Sequence, residues 1–172
     1  MKKSFQIALA AALVAGCAFT AGADTSDAWL TTKAKIALLT TDGVSATAVN
    51  VDTVDGKMTI HGKVGTKAEK EKAEETVRHL DGVKDVKNLL QVVPPSQKKG
   101  VDATDAVVKD RVEASLKAAK NMNDINVASV NKGVVLLSGK TDSLTHKLMV
   151  IERVYTVDGV HRVSSEIETK EN

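Results

Sequence analysis

The sequence has few aromatic residues and a single cysteine. Aromatic side chains make up 2% of its 172 residues, and both phenylalanines, Phe5 and Phe19, lie in the N-terminal segment. Only Trp29 and Tyr155 remain for the rest of the chain. Small aliphatic residues must therefore fill any folded core. The one cysteine, Cys17, excludes a disulfide bond within the chain.

The N-terminal apolar run, residues 7–14, is too short to span a bilayer as a mature helix. Two lysines precede it and small residues follow, which is the pattern of a secretory signal over residues 1–23. We therefore expect export to the periplasm. Two cleavage sites stay open. The letters "AGA" direct cleavage before Asp24, whereas "VAGC" resembles a lipobox, whose cleavage would lipidate Cys17 and anchor the protein to the outer membrane.

Neither sign of charge is in excess once the signal is removed. The sequence has 24 basic and 22 acidic residues, and the loss of Lys2 and Lys3 with the signal leaves 22 of each. A nucleic-acid-binding protein needs a basic face that neutralises phosphates, so we expect no nucleic-acid partner. The same balance argues against membrane attraction by charge alone.

The chain also offers little chemistry for catalysis. Its four histidines are scattered along the sequence, and none forms a pair with the spacing of H-E-x-x-H. There is no glycine-rich phosphate loop of the Walker or dinucleotide type. We therefore predict a non-enzymatic protein and assign no catalytic residue, no metal ligand and no cofactor.

What the sequence does contain is an internal repeat with a period of about 77 residues. The phrase "LDGVKDVKN" from Leu80 returns as "VDGVHRVSS" from Val157. In the same way, "DAWLTTKAKIALL" from Asp27 corresponds to "DAVVKDRVEASLK" from Asp105. Two repeats indicate two small units, each near the lower size limit for burying its own core.

Each repeat carries the pattern of two helices and three strands. In the first, apolar residues recur every four positions from Leu30, and "VNVDTV" alternates in the period of a strand. Asp-Gly at 55–56 predicts a tight hairpin turn into a second strand. Thr66 is a suitable cap for a second helix, which Gly82 ends before valines lead into a last strand. The second repeat follows the same order.

We therefore predict an α/β fold of the α+β type, with two tandem α-β-β-α-β units. Each unit forms a small three-stranded mixed sheet packed against two helices. The units are expected at residues 27–93 and 105–169. The segment 94–104, "PPSQKKGVDAT", reads as a linker that is stiff at its prolines and flexible after Gly100.

These features together resemble the BON-domain family. The resemblance rests on the tandem units, on "GVKDVKN", and on Gly62 and Gly139, which are expected to close the second strand of each unit. The second unit departs from it at Lys132-Gly133, where the first has Asp-Gly. The resemblance implies an exported, non-enzymatic module that contacts phospholipid or envelope proteins during envelope or osmotic stress. It supplies no catalytic residues.

One face of the second helix differs between the two units and is our candidate site. A charged stripe in the first unit becomes apolar in the second, where the four positions are Leu144, Leu148, Ile151 and Tyr155. On the first helix of the first unit, Trp29 and Ile36 also point away from the core line.

Two interpretations of these apolar surfaces remain open. They could bury each other across the boundary between the units, or a wider second core could take up the stripe. Alternatively, part of the stripe faces a membrane or a client protein, a setting that suits Tyr155. The leading function is then weak peripheral phospholipid binding. The rival is a protein-interaction module or holdase-like chaperone that does not bind lipid directly.

Overall fold

The computed structural model of the protein describes residues 26–119, 122 and 124–170, so the predicted signal and Cys17 lie outside the described residues. Within these residues the chain forms four α-helices and seven strands in two units, one strand more than the predicted six, because the last strand of the first unit is interrupted. The elements are α1 (Asp27–Leu39), β1 (Val49–Val54), β2 (Lys57–Val64), α2 (Lys67–Arg78), β3 (Asp85–Asn88), β4 (Gln91–Val92), α3 (Pro95–Lys117), β5 (Ile125–Asn131), β6 (Val134–Thr141), α4 (Leu144–Tyr155) and β7 (Arg162–Thr169).

Each unit has a mixed sheet with its two helices on one face. In the first unit β2 pairs antiparallel with β1 and parallel with β3 and β4, which together form one interrupted third strand. In the second unit β6 lies between antiparallel β5 and parallel β7. The predicted core line of α1, Leu30, Ala34 and Leu38, is buried, as are its counterparts on α3. The predicted fold class is confirmed.

The hairpins and helix starts follow their local sequence. Asp55 and Gly56 have φ of 53° and 76°, the left-handed conformation that a two-residue hairpin turn requires. Thr66 accepts a hydrogen bond from the Glu69 amide at 3.1 Å and caps α2. Ser143 caps α4 by accepting a hydrogen bond from the His146 amide at 3.2 Å.

An aspartate at the start of each first helix holds the hairpin of its own unit. The Asp27 carboxylate accepts hydrogen bonds from the amides of Asp55 and Gly56 at 2.8 and 2.9 Å. Asp105 accepts from Lys132 and Gly133 at 2.8 and 3.1 Å. The repeated aspartate therefore satisfies two turn amides, which explains why Lys132-Gly133 can stand where the first unit has Asp-Gly.

The two glycines of the family pattern do not close their strands. β2 continues past Gly62 to Val64, and β6 continues past Gly139 to Thr141. Both glycines have positive φ, and a Cβ on either would lie 2.0 Å from a backbone carbonyl oxygen of the preceding segment. Glycine is needed at this point because the backbone crosses there at close range.

The predicted flexible linker is largely helical. α3 begins at Pro95 and runs through Gly100 into the core helix of the second unit. Proline is well tolerated in the first turn of a helix, and one glycine is too small a penalty to break a helix of 23 residues. The early turns of α3 are also fastened to the first unit, because Lys63 Nζ lies 2.6 Å from Asp102 and 2.8 Å from Asp105.

The units pack through the sheet faces that point away from their helices. Thr59 and His61 of β2 alternate with core residues and would face solvent in an isolated unit, yet both are buried. In the second unit, Leu136 and Ser164 have the same orientation and are also buried. β2 and β5 approach each other across this contact.

Candidate functional site: an exposed apolar face on α4

The candidate face belongs to a helix that is well anchored on its other side. Val150 and Val154 of α4 are fully buried in the core of the second unit. Lys147 Nζ donates a hydrogen bond to the Ile167 carbonyl at 2.6 Å and ties the helix to β7. The side chains on the remaining faces are therefore held by a rigid element, which favours a defined surface.

The predicted apolar stripe is on the surface of the described structure. Leu144, Leu148 and Tyr155 are 64%, 57% and 59% exposed, whereas Ile151 is half-buried. They are three or four residues apart and line one side of the helix. Leu144, Leu148 and Tyr155 are therefore neither covered by the first unit nor absorbed into a wider core in this structure.

The first unit shows what the stripe replaces. On α2, Glu74 pairs with Arg78 and accepts a hydrogen bond from Asn88 Nδ2 at 2.9 Å. The Asn88 hydrogen bond and the Arg78 charge outweigh partial burial and lower the pKa of Glu74. In the repeat alignment these three positions become Ile151, Tyr155 and Ser165. An ordered polar network beside the sheet edge has become an apolar surface.

The sheet edge beside the stripe is protected against strand addition. β7 is the last strand of its sheet in the described part of the chain. Its Ile167 carbonyl is bound by Lys147, and the Ile167 amide donates to Ser165 Oγ at 3.2 Å. Side chains therefore occupy backbone groups that an added strand would need, so the surface favours side-chain contact over β-augmentation.

The apolar residues on α1 are also exposed. Trp29 and Ile36 are each 54% exposed, so they do not bury the α4 stripe. Sequence reasoning missed three further exposed apolar side chains, Leu39 of α1, Val107 of α3 and Met149 of α4. Met149 aligns with Lys72 in the repeat, the same exchange of charge for an apolar group that revealed the stripe. It lies about 100° around the helix from Leu148.

Neither a metal-binding cluster nor a membrane-spanning helix is found among the described residues. Among them, no three His, Cys, Asp or Glu side chains converge well enough to bind a metal ion. No helix within the same part of the chain has the length and apolar character needed to cross a membrane. Contact with a partner would remove the exposed apolar area of the α4 surface from water, which is energetically favourable.

Comparisons with known proteins agree with the repeat. A family model described as "BON domain" matches residues 26–94 and again residues 104–171. Osmotically-inducible protein Y of Escherichia coli (strain K12) is 30% identical over 147 residues, which cover 84% of this chain and 73% of that protein.

Two solved structures of CdsD, a structural protein of the Type III secretion system of Chlamydia trachomatis, show weak similarity. Its C-terminal domain gives a TM-score of 0.35 at 13% identity, covering 85% of this chain and 68% of that one. The second gives 0.34 at 12% identity, covering 71% and 85%. These scores support no inference about this chain.

Proposed function

The chain belongs to the BON domain family, and from that premise we propose that it is a non-enzymatic protein of the bacterial envelope that binds phospholipid weakly and peripherally. Its similarity to an osmotically inducible protein supports a role in envelope maintenance or osmotic stress. Export to the periplasm follows from the signal pattern. Lipidation of Cys17 would add an outer-membrane anchor.

The exposed apolar stripe on α4 carries the proposal. Transfer of a leucine side chain out of water contributes about 1.5–3 kcal/mol when it is complete. Leu144, Leu148 and Tyr155 together therefore suffice for reversible attachment, and Tyr155 has the amphipathic ring that suits the headgroup boundary. A stable protein interface typically has about 20–30 residues on each side, far more than the stripe contains. A weak peripheral contact fits this size.

The charges on α4 argue for apolar insertion rather than headgroup attraction. Lys147 is held by β7, and Arg153 donates a hydrogen bond to the Ser115 carbonyl at 3.3 Å. Glu152 is exposed on the same helix and offsets them. We therefore expect binding that depends little on salt, in contrast to a polybasic surface.

A protein-interaction or holdase role remains the rival proposal. Exposed Met149 favours it, because methionine adapts to irregular apolar partners. Under this rival, unfolded envelope proteins would occupy the surface and lipid would not.

The test is flotation of the fragment 24–172 with anionic and zwitterionic vesicles at low and physiological salt. We expect the wild-type fragment to co-float, and Leu148→Asp to lower the floated fraction at least about fivefold, since a carboxylate cannot enter the apolar layer without a large desolvation cost. Leu148 is exposed, so its free energy of unfolding should change by about 0.5 kcal/mol or less.

Met149→Asp is the matched control, because it adds the same charge to the same helix at a side chain of similar exposure, 55%. It should float like the wild type. Failure of the wild type to float under every condition would remove direct lipid binding and leave the protein-partner role. A large loss of stability in Leu148→Asp would instead show that the position is part of the core.

A further inference from the structure

A polar cluster lies at the contact between the two units and joins side chains from both. His61 of β2 is at its centre, with Nε2 2.9 Å from Asp52 Oδ2 of β1. Glu166 of β7, in the second unit, is half-buried and lines an open cavity together with Thr59 of β2. Asp52 and Glu166 also line one open cavity, so a carboxylate from each unit faces the same space beside the contact.

The packing of the cluster depends on the units staying together. The His61 side chain is only 6% exposed, and its Nδ1 has no hydrogen-bond partner among the described residues. A single unit would leave this face of β2 in water. Burial of an imidazole nitrogen without a hydrogen-bond partner costs free energy. The charges of the carboxylates beside this buried face therefore affect how tightly the units dock.

Further charged groups surround the cluster. The positive charge of Lys35 on α1 favours the ionised form of Asp52, and that of Lys87 on β3 favours the ionised form of Glu166. Asp27 shares the cavity wall, but its carboxylate is held by the hairpin amides. With both carboxylates ionised, the cluster of Asp52, His61 and Glu166 places one negative charge on each side of the contact.

We propose that this cluster is a proton-sensitive latch that holds the two units together more tightly when it takes up one proton. The added proton, on the Glu166 carboxylate, reduces two facing negative charges to one. Separation of the units returns Glu166 to water and removes the repulsion.

The acidities of the two carboxylates agree with this direction. Burial raises the pKa of Glu166, and the nearby Asp52 charge adds to the rise. A carboxyl whose pKa is raised by docking favours the docked state at low pH and loses that effect as the pH rises through the raised value. The His61 hydrogen bond lowers the pKa of Asp52. Docking is therefore tightest below the raised pKa of Glu166.

The latch is independent of the proposed lipid contact. It lies between the sheets, whereas the α4 stripe is on the outside of the second unit. A protein that binds no lipid could still have the latch, and the converse also holds. Its consequence is mechanical, because a change of pH outside the cell would alter the arrangement of the units.

Energy transfer between the units measures the latch. Trp29 is the only tryptophan and lies on α1 of the first unit. Fragment 24–172 lacks Cys17, so Thr145→Cys on exposed α4 gives a unique site for an acceptor dye. We expect the transfer efficiency to fall as the pH rises from about 4.5 to about 8, with unchanged far-UV circular dichroism. If docking raises the pKa of Glu166 by one pH unit, protonation changes the docking equilibrium about tenfold.

Two variants on β7 decide the matter. Glu166→Gln keeps the hydrogen-bonding shape without the charge, so the transfer efficiency should stay near its low-pH level throughout. Glu168→Gln removes an exposed carboxylate that is paired with Lys140 at 3.0 Å and should respond like the wild type. A wild-type efficiency that does not change with pH, or an equal response in Glu166→Gln, would overturn the latch.

Discussion

Gly62 shows at the scale of one residue why the family pattern requires glycine. It pairs with Val49 across the hairpin with φ of 135°, and an added Cβ would lie 2.0 Å from the Ala48 carbonyl oxygen. Relief of this contact would require movement of backbone rather than of a flexible side chain. We expect Gly62→Ala to lower the free energy of unfolding of the first unit by about 3 kcal/mol or more, measured by urea denaturation.

Gly100 is the matched control for this prediction. It lies inside α3, and a Cβ placed there would have no described atom within 4 Å. Gly100→Ala should raise stability by about 0.4–1 kcal/mol, because alanine reduces the freedom of the unfolded chain and favours the helix. A loss of stability would contradict the helical state of this segment, and a neutral Gly62→Ala would contradict the backbone clash.

The hairpin contacts of two aspartates could not be predicted from the sequence. Asp27 and Asp105 were aligned at the same repeat position, but nothing local to them indicates a role. Each binds amides that lie 27 to 29 positions further along the chain. Such a contact exists only once α1 or α3 has packed beside its hairpin. Caps at Thr66 and Ser143 were easier to find, because their partners are three residues away.

At the scale of elements, α2 and α4 have the same backbone role and different outer faces. Both carry twelve residues, and in both a lysine donates a hydrogen bond to a backbone carbonyl of the third strand segment. Lys70 binds Leu90, between β3 and β4, at 2.7 Å, and Lys147 binds Ile167 of β7 at 2.6 Å. The stripe was predictable because the repeat supplies an internal reference for each position. Its exposure was not, because an apolar stripe alone does not show what lies opposite it.

A graft of the stripe tests whether this face is sufficient for binding. The recipient is the fragment with Leu148→Asp, and the four changes on α2 are Lys67→Leu, Glu71→Leu, Glu74→Ile and Arg78→Tyr. We expect vesicle co-flotation to recover, because α2 then offers the same apolar groups at the same spacings. The removed Lys67–Glu71 pair is on the surface and contributes about 0–1 kcal/mol. Loss of the Asn88 hydrogen bond to Glu74 costs about 0.5–1.5 kcal/mol.

Two of the same four positions provide the control. Exchange of charge alone, Lys67→Glu with Glu71→Lys, keeps α2 polar and should leave the Leu148→Asp fragment unable to float. Recovery in this control would show that a general change of charge, rather than apolar contact, governs flotation. No recovery in the full graft, with the fold intact, would show that α4 acts together with neighbours that α2 lacks.

At the scale of the whole molecule, the arrangement of the units was beyond prediction. Thr59 and His61 alternate with apolar core residues, which is the pattern of a strand with one face in water. In the structure the second unit covers that face. The polar residues Thr59 and His61 therefore form part of the contact between the units, whereas the apolar stripe on α4, a candidate for that contact, is exposed. The alternation of polar and apolar residues shows which face of a strand packs in its own unit. It does not show which face packs against the other unit.

Lys63 gives the last prediction, because it connects β2 of the first unit to α3. Burial opposes its charge, but the carboxylates of Asp102 and Asp105 outweigh this effect and raise the pKa of the ammonium. Asp105 is buried and also holds the second hairpin. We expect Lys63→Met to destabilise the protein by about 1–3 kcal/mol and to separate one calorimetric transition into two, since Asp105 loses its counter-charge. Lys140→Met, which removes an exposed pair, should change stability by about 0.5 kcal/mol or less. Equal losses in both variants would mean that Lys63 acts as an ordinary surface lysine and that the helical connection alone couples the units.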